Sequence, residues 1–307
     1  MARLSRHKVE RLRNIPYRDE EGAEFLLDVY RPTDPAPGPD GMRPAVLYIH
    51  GGGFRILSKD THWAMALSFA RRGYVVFNIN YRLAPVHPFP AAVEDACLAY
   101  EWVVKNAARY GGDVDRLIVA GESAGANLTT VVTLAACFER DESYSRRVFA
   151  TGVVPKAVLP SCGIFQVTDP GRFERRKPKL PRFLRDRIHE VHDAYLGAVL
   201  NWPESQRELA DPLLILEGDQ RPKRPLPPFF TTCGTADPIL DDTRRLERAL
   251  KQRGVSVEAH YYPKEPHAFH VLAFRPAARD HWSKTFAFLE RHVLNAKAAV
   301  PVAAQVG

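Results

Sequence analysis

No window of the 307-residue chain holds the roughly 18 consecutive apolar residues that crossing a bilayer takes. The N-terminal MARLSRHKVERLRN also lacks the apolar core of a secretory signal. Both absences point to the cytoplasm and argue against stable membrane insertion. Cysteine is scarce, and Cys97, Cys137, Cys162 and Cys233 are widely spaced with no CxxC pair. That spacing suggests neither a zinc knuckle nor a disulfide framework, and the apolar neighbours of all four read as reduced, buried thiols. Acidic residues are outnumbered, 36 against 43 lysines and arginines, for a formal charge of +7. The excess is scattered and densest in RRKPKLPRFLRDR at 175–187. No aromatic, glycine-rich or zinc-finger pattern accompanies it, so nucleic-acid binding is not indicated and the run reads as the solvated face of a lid or loop. No internal repeat is visible.

Apolar residues are plentiful, at 45% of the chain, which suffices for one large domain over 1–307. Seven segments read as strands: 24–31, 45–50, 74–83, 116–121, 156–162, 228–234 and 255–263. Helical patterns fill 60–72, where Trp63, Leu67 and Ala70 share one side, and then run from Pro90 to a stop at Gly111 and Gly112. Further helices extend from GESAG to about Phe138, over 239–253 and over 276–294. Strands alternating with helices imply an α/β chain whose mostly parallel sheet is covered on both faces. The closely spaced first strands suggest an antiparallel portion, hence a mixed sheet. Residues 163–227 break the alternation, and so long a structureless loop is unusual in a compact domain. They are read as an inserted lid or cap.

GESAG, 121–125, places Ser123 where a strand gives way to a helix. G-x-S-x-G at such a junction is the pattern of a nucleophile elbow, although a serine there also serves as an ordinary helix cap. Side chains at 121 and 125 would collide with neighbouring backbone in so sharp a turn. HGGG, 50–53, follows a buried strand and offers backbone N–H groups with little obstruction. With the N–H of Ala124, Gly51 and Gly52 complete a candidate oxyanion hole. His267 stands in the loop after the last strand, where a neutral imidazole accepts the serine proton; His270 is a rival, and His50 fits a loop-holding role better. Asp237 follows the strand PFFTTC and suits the carboxylate that orients the imidazole, while Asp241 and Asp242 fall within the next helix. Asp95 is expected to brace loops and Tyr81 to pack against the Asn80–Pro85 segment. Asn127-Leu128-Thr129 matches a glycosylation acceptor, but it falls in the helix after the nucleophile.

HGGGF, NYRLAPVHPFPAAVEDA, GESAGANL, GTADPILDD and HAFH, in this order, resemble the hormone-sensitive-lipase-like group of α/β-hydrolase esterases, also called bacterial lipase family IV. The likeness runs from about residue 24 onward. It implies an α/β-hydrolase fold with a central mixed eight-stranded sheet. It also implies a cap built from about 1–23 and 163–227, a catalytic triad of Ser123, Asp237 and His267, and oxyanion donors at Gly51, Gly52 and Ala124. Glu122 stands where the group usually has Asp, and Ala268 where it often has Gly. The expected activity is hydrolysis of short- to medium-chain acyl esters through a serine acyl-enzyme, with water as co-substrate and neither metal nor organic cofactor. An amidase or a specialised esterase using the same triad, and a non-catalytic binding protein on the same scaffold, are the alternatives. The resemblance also allows a homodimer.

Overall fold

The computed structural model describes residues 7–36 and 41–295. The chain opens with strands β1 (Val9–Pro16), β2 (Leu26–Pro32) and β3 (Arg43–Ile49), then α1 (Trp63–Ala70), β4 (Val75–Ile79), α2 (Ala91–Asn106) and β5 (Gly112–Glu122). α3 (Ala124–Cys137), α4 (Ser143–Ala150) and β6 (Ala157–Ser161) follow. Helices α5 (Arg172–Arg176), α6 (Arg182–Leu196) and α7 (Pro212–Glu217) occupy the insertion, and β7 (Phe229–Gly234), α8 (Leu240–Gln252), β8 (Val257–Tyr262) and α9 (Pro276–Leu289) follow it. The strands form one eight-stranded sheet in the order β1-β2-β4-β3-β5-β6-β7-β8. β2 pairs antiparallel with both β1 and β4, and every other pairing is parallel.

The central strands are apolar on both faces because helices cover both. Successive residues point to opposite sides of a sheet. Leu47, Phe77 and Val119 accordingly join one apolar cluster with Tyr100 of α2 and Val131 of α3. Their neighbours Val46, Val76 and Ile118 join a second with Phe69 of α1 and Phe288 of α9. This is the mixed, mostly parallel α/β sheet that the sequence implies.

Several details differ from expectation. Residues 9–16, within the 1–23 stretch expected in the cap, form the edge strand β1. VERLRNIP has polar residues on both faces, so no alternation marks it. Trp63 is 49% exposed, and the face of α1 that packs inward is Met65, Ala66, Phe69 and Ala70. β4 stops at Ile79, short of the expected 83; Asn80 still donates its backbone N–H to the Leu26 carbonyl of β2 (2.9 Å), and its side-chain amide donates to the Ala23 carbonyl (2.7 Å).

The insertion is held shut at its root. Asp211 Oδ1 accepts the N–H groups of Val167 (2.5 Å) and Thr168 (3.1 Å). Asp242 of α8 accepts those of Phe165 (2.8 Å) and Gln166 (3.2 Å) and pairs with Arg172 (2.6 Å). Beyond that root α6 returns over the glycine loop. Tyr195 stacks on Phe54 with ring centroids 3.8 Å apart.

Candidate active site

β5 ends at Glu122, and α3 begins at Ala124, leaving Ser123 alone in the turn with φ 56° and ψ −118°. A non-glycine residue at positive φ carries strain that the surroundings must hold. The flanking glycines make this possible: a Cβ on Gly121 would lie 2.5 Å from the Ile49 carbonyl oxygen, and one on Gly125 only 2.1 Å from the same atom. The turn thus presses directly on the end of β3, as GESAG suggests, and presents Ser123 where the glycine loop begins.

Asp237 leaves the end of β7 and His267 the loop after β8. The two loops are tied by the Ala236 N–H donating to the Glu265 carbonyl (3.1 Å). Asp237 is fully buried, and its Oδ2 meets His267 Nδ1 at 2.8 Å. Oδ1 is held by the Ile239 N–H (2.9 Å), and Oδ2 also receives the Cys233 thiol (3.2 Å). Burial depresses the His267 pKa, but the charge and hydrogen bond of Asp237 outweigh it and leave the imidazole above 6.5. Ser123 and His267 line one cavity of about 610 Å³ with the three glycines of the loop. That volume suits a small ligand. Its apolar wall includes Ile56, Leu57, Val191 and Val271.

The rival aspartates are occupied elsewhere. Asp242 pins the insertion, and Asp241 pairs with Arg176. His270 is buried, and burial drops its pKa to about 4. His50 is likewise lowered to about 4 by burial; its Nδ1 meets the Gly51 carbonyl (2.7 Å), and its ring stacks on Tyr81 (4.3 Å). Asp95 joins Arg18 and Arg82, bracing the loop as its position suggests. Asn127 is buried and donates to the Ile164 and Ala210 carbonyls (2.8 and 3.0 Å).

Sequence reasoning missed the group beneath the glycine loop. Glu122, buried beside the nucleophile, accepts the Gly51 N–H (2.5 Å) and His62 Nε2 (2.8 Å) on one oxygen, and the Tyr48 hydroxyl on the other. Burial raises the Glu122 pKa, but His62 and Tyr48 hold the carboxyl below its ordinary range. His62 in turn is raised above 6.5 by Glu122 despite its own burial. Gly51 therefore differs from expectation, because its N–H is committed to Glu122. Among the described residues the N–H groups of Gly52, Gly53 and Ala124 have no protein acceptor. The signal for Glu122 was its acidic character beside the serine; His62 left none.

Cys162 Sγ, an Asp237 oxygen and a His267 nitrogen lie within 4.8 Å of one another, a set with metal-ligand chemistry. Asp237 and His267 are already bonded together, and burial drives the Cys162 thiol far above 9, away from the thiolate a metal requires. The set fits proton transfer better than coordination.

A family model described as the alpha/beta hydrolase fold matches residues 46–271. The chain belongs to that family. Among the relatives of this α/β-hydrolase, carboxylesterase NlhH of Mycobacterium tuberculosis (strain CDC 1551 / Oshkosh) is 31% identical over 254 residues, covering 81% of the chain and 73% of NlhH. The ethyl acetate hydrolase of Pseudomonas putida is 28% identical over 257 residues, covering 81% and 72% respectively. A solved esterase of the bacterial hormone-sensitive lipase family is 25% identical and superposes with a TM-score of 0.69 over 93% of this α/β-hydrolase and 85% of its own chain. No helix among the described residues is long and apolar enough to cross a membrane.

Proposed function

We propose that the protein is a serine carboxylesterase that hydrolyses short- to medium-chain acyl esters through an acyl-enzyme on Ser123. The observation that carries this reading is one cavity shared by the strained Ser123, the His267 imidazole bonded to buried Asp237, and backbone N–H groups without acceptors. The kinship with NlhH and with an ethyl acetate hydrolase supports an ester substrate and a short acyl group.

Ser123 Oγ attacks the ester carbonyl carbon while His267 Nε2, the ring nitrogen facing away from Asp237, takes its proton. Asp237 keeps the other ring nitrogen protonated and stabilises the imidazolium that forms. The tetrahedral oxyanion is held by the amides of Gly52 and Ala124, with Gly53 in place of Gly51. On collapse the C–O bond breaks and His267 gives its proton to the departing alcohol. Water then attacks the acyl-enzyme with His267 as base, releasing the acid and restoring Ser123. The insertion at 163–227 serves as the cap, α6 supplying the cavity wall at Val191. Four buried free thiols accord with a reducing, cytoplasmic setting.

The test is a series of p-nitrophenyl esters of rising acyl length, run on wild type and Ser123→Ala. Turnover greatest for short and medium acyl groups and abolished by Ser123→Ala is the expected result. A preference for acyl chains above about ten carbons contradicts the substrate range, since each extra buried CH₂ is worth about 0.8 kcal/mol in an apolar pocket. Turnover that survives Ser123→Ala refutes the mechanism.

A further inference from the structure

The basic run ending at Arg187 has no part in the chemistry above, yet its last residue reaches the cavity that holds Ser123. A second cation, Arg55, comes from the loop just beyond the glycines and lines the same cavity. Both guanidiniums converge on a single oxygen, Oε2 of Glu190 on α6, Arg187 at 2.6 Å and Arg55 at 3.0 Å. Glu190 itself is not among the lining residues. Two cations share one anion, and the other charged lining groups are already matched, Glu122 by His62 and His267 by Asp237. The Arg55 Nε is buried without any acceptor. That nitrogen is closed to solvent, so what the cavity offers is the excess of two guanidiniums over one carboxylate, a charge that a second anion would match. The same cavity also carries an apolar lining, Ile56, Leu57, Val191 and Val271.

We infer that the cavity selects esters carrying a carboxylate at the end of a short apolar chain, the carboxylate bridging Arg55 and Arg187 while the ester carbonyl meets Ser123. The inference rests on the esterase reading and deepens it to a substrate class, the monoesters of dicarboxylic acids. A guanidinium presents a planar fork that matches a carboxylate, and the apolar wall takes the methylene chain between the two ends. The Arg55 side chain is 28% exposed and that of Arg187 69%, so salt screens the attraction and its size is moderate.

The test compares p-nitrophenyl hydrogen glutarate, adipate and pimelate with neutral p-nitrophenyl esters of matching length. At low ionic strength the best anionic ester is expected to exceed its neutral partner in kcat/KM by about fivefold to tenfold, with the advantage shrinking as salt is added. The ratio of anionic to neutral turnover is read within each variant, so a general loss of folded enzyme cancels. Arg55→Gln and Arg187→Gln each reduce the ratio, the double variant brings it to about one, and Glu190→Gln raises it. Wild type that cleaves the neutral esters with a ratio at or below one, or variants that leave the ratio unmoved, overturns the subsite while leaving the esterase reading intact. If wild type cleaves neither set, the esterase reading itself fails.

Discussion

Replacing Glu122 with leucine removes the acceptor that anchors the glycine loop while keeping an apolar side chain of similar size. Three groups lose their partner: the Gly51 N–H, His62 Nε2 and the Tyr48 hydroxyl. A hydrogen bond to a charged acceptor contributes about 1.5–3 kcal/mol, and a buried donor left unpaired costs about 1–3 kcal/mol. The Gly51 amide escapes that cost by turning towards water or into the cavity, which shifts the adjoining Gly52 and Gly53 amides. Losing one oxyanion donor outright lowers kcat by about 100- to 1000-fold. Loosening the loop forfeits only part of that, so kcat is expected to fall about 10- to 100-fold, or about 1.4–2.7 kcal/mol at tenfold per 1.36 kcal/mol, with KM nearly constant. Breaking a buried ion pair by removing one partner costs up to about 3–5 kcal/mol. His62 sheds its proton once the carboxylate is gone, so the loss of stability falls below that range. Glu122→Gln is the control, since its amide oxygen still accepts from Gly51. The assay is steady-state hydrolysis of a short p-nitrophenyl ester by both variants, with a thermal melt to confirm folding. A folded leucine variant whose kcat stays within about twofold of wild type refutes the anchoring role.

His267 takes the serine proton only as neutral imidazole, and Asp237 holds its pKa above 6.5. The kcat/KM profile is therefore expected to rise with pH through an apparent pKa above 6.5, and Asp237→Asn should move that limb downward; a limb below 6.5 in wild type contradicts the pairing. Gly125→Ala places a methyl 2.1 Å from the Ile49 carbonyl and 2.6 Å from that of His50. Both contacts are backbone, so the cost is about 3 kcal/mol, a drop in Tm of roughly 5 °C in a chain of this length, whereas Gly197→Ala, with open space around it, should leave the melt nearly unchanged.

The features legible in the sequence were those whose cause is local. GESAG names its own turn because the glycines are needed within two residues of Ser123, and the central strands announce double burial by runs that are apolar on both faces, AVLYI in β3 and VVF in β4. Asp237 and His267 were legible as residues just past strand ends, which a parallel sheet brings to one edge. What escaped depends on contacts between distant segments. Glu122 meets Gly51 across 71 residues, and nothing near either one records that the amide is taken. Trp63 fits an inward-facing helical stripe as well as its neighbours do, and only the packing of Phe69 against Tyr74 and Trp282 shows which face turns inward. β1 is polar on both sides because, as an edge strand, it needs only β2.

The closure of the insertion by Asp211 and Asp242 has an evolutionary consequence. Two carboxylates fix where the segment leaves the scaffold and where it rejoins, without reference to what lies between about 173 and 210. Changing the length of an excursion whose ends are already pinned costs little, about 0.6 kcal/mol per doubling. The roof can therefore vary in length where it is exposed, while Tyr195, buried against Phe54 and Phe89, marks the stretch that a rewritten insertion would have to keep.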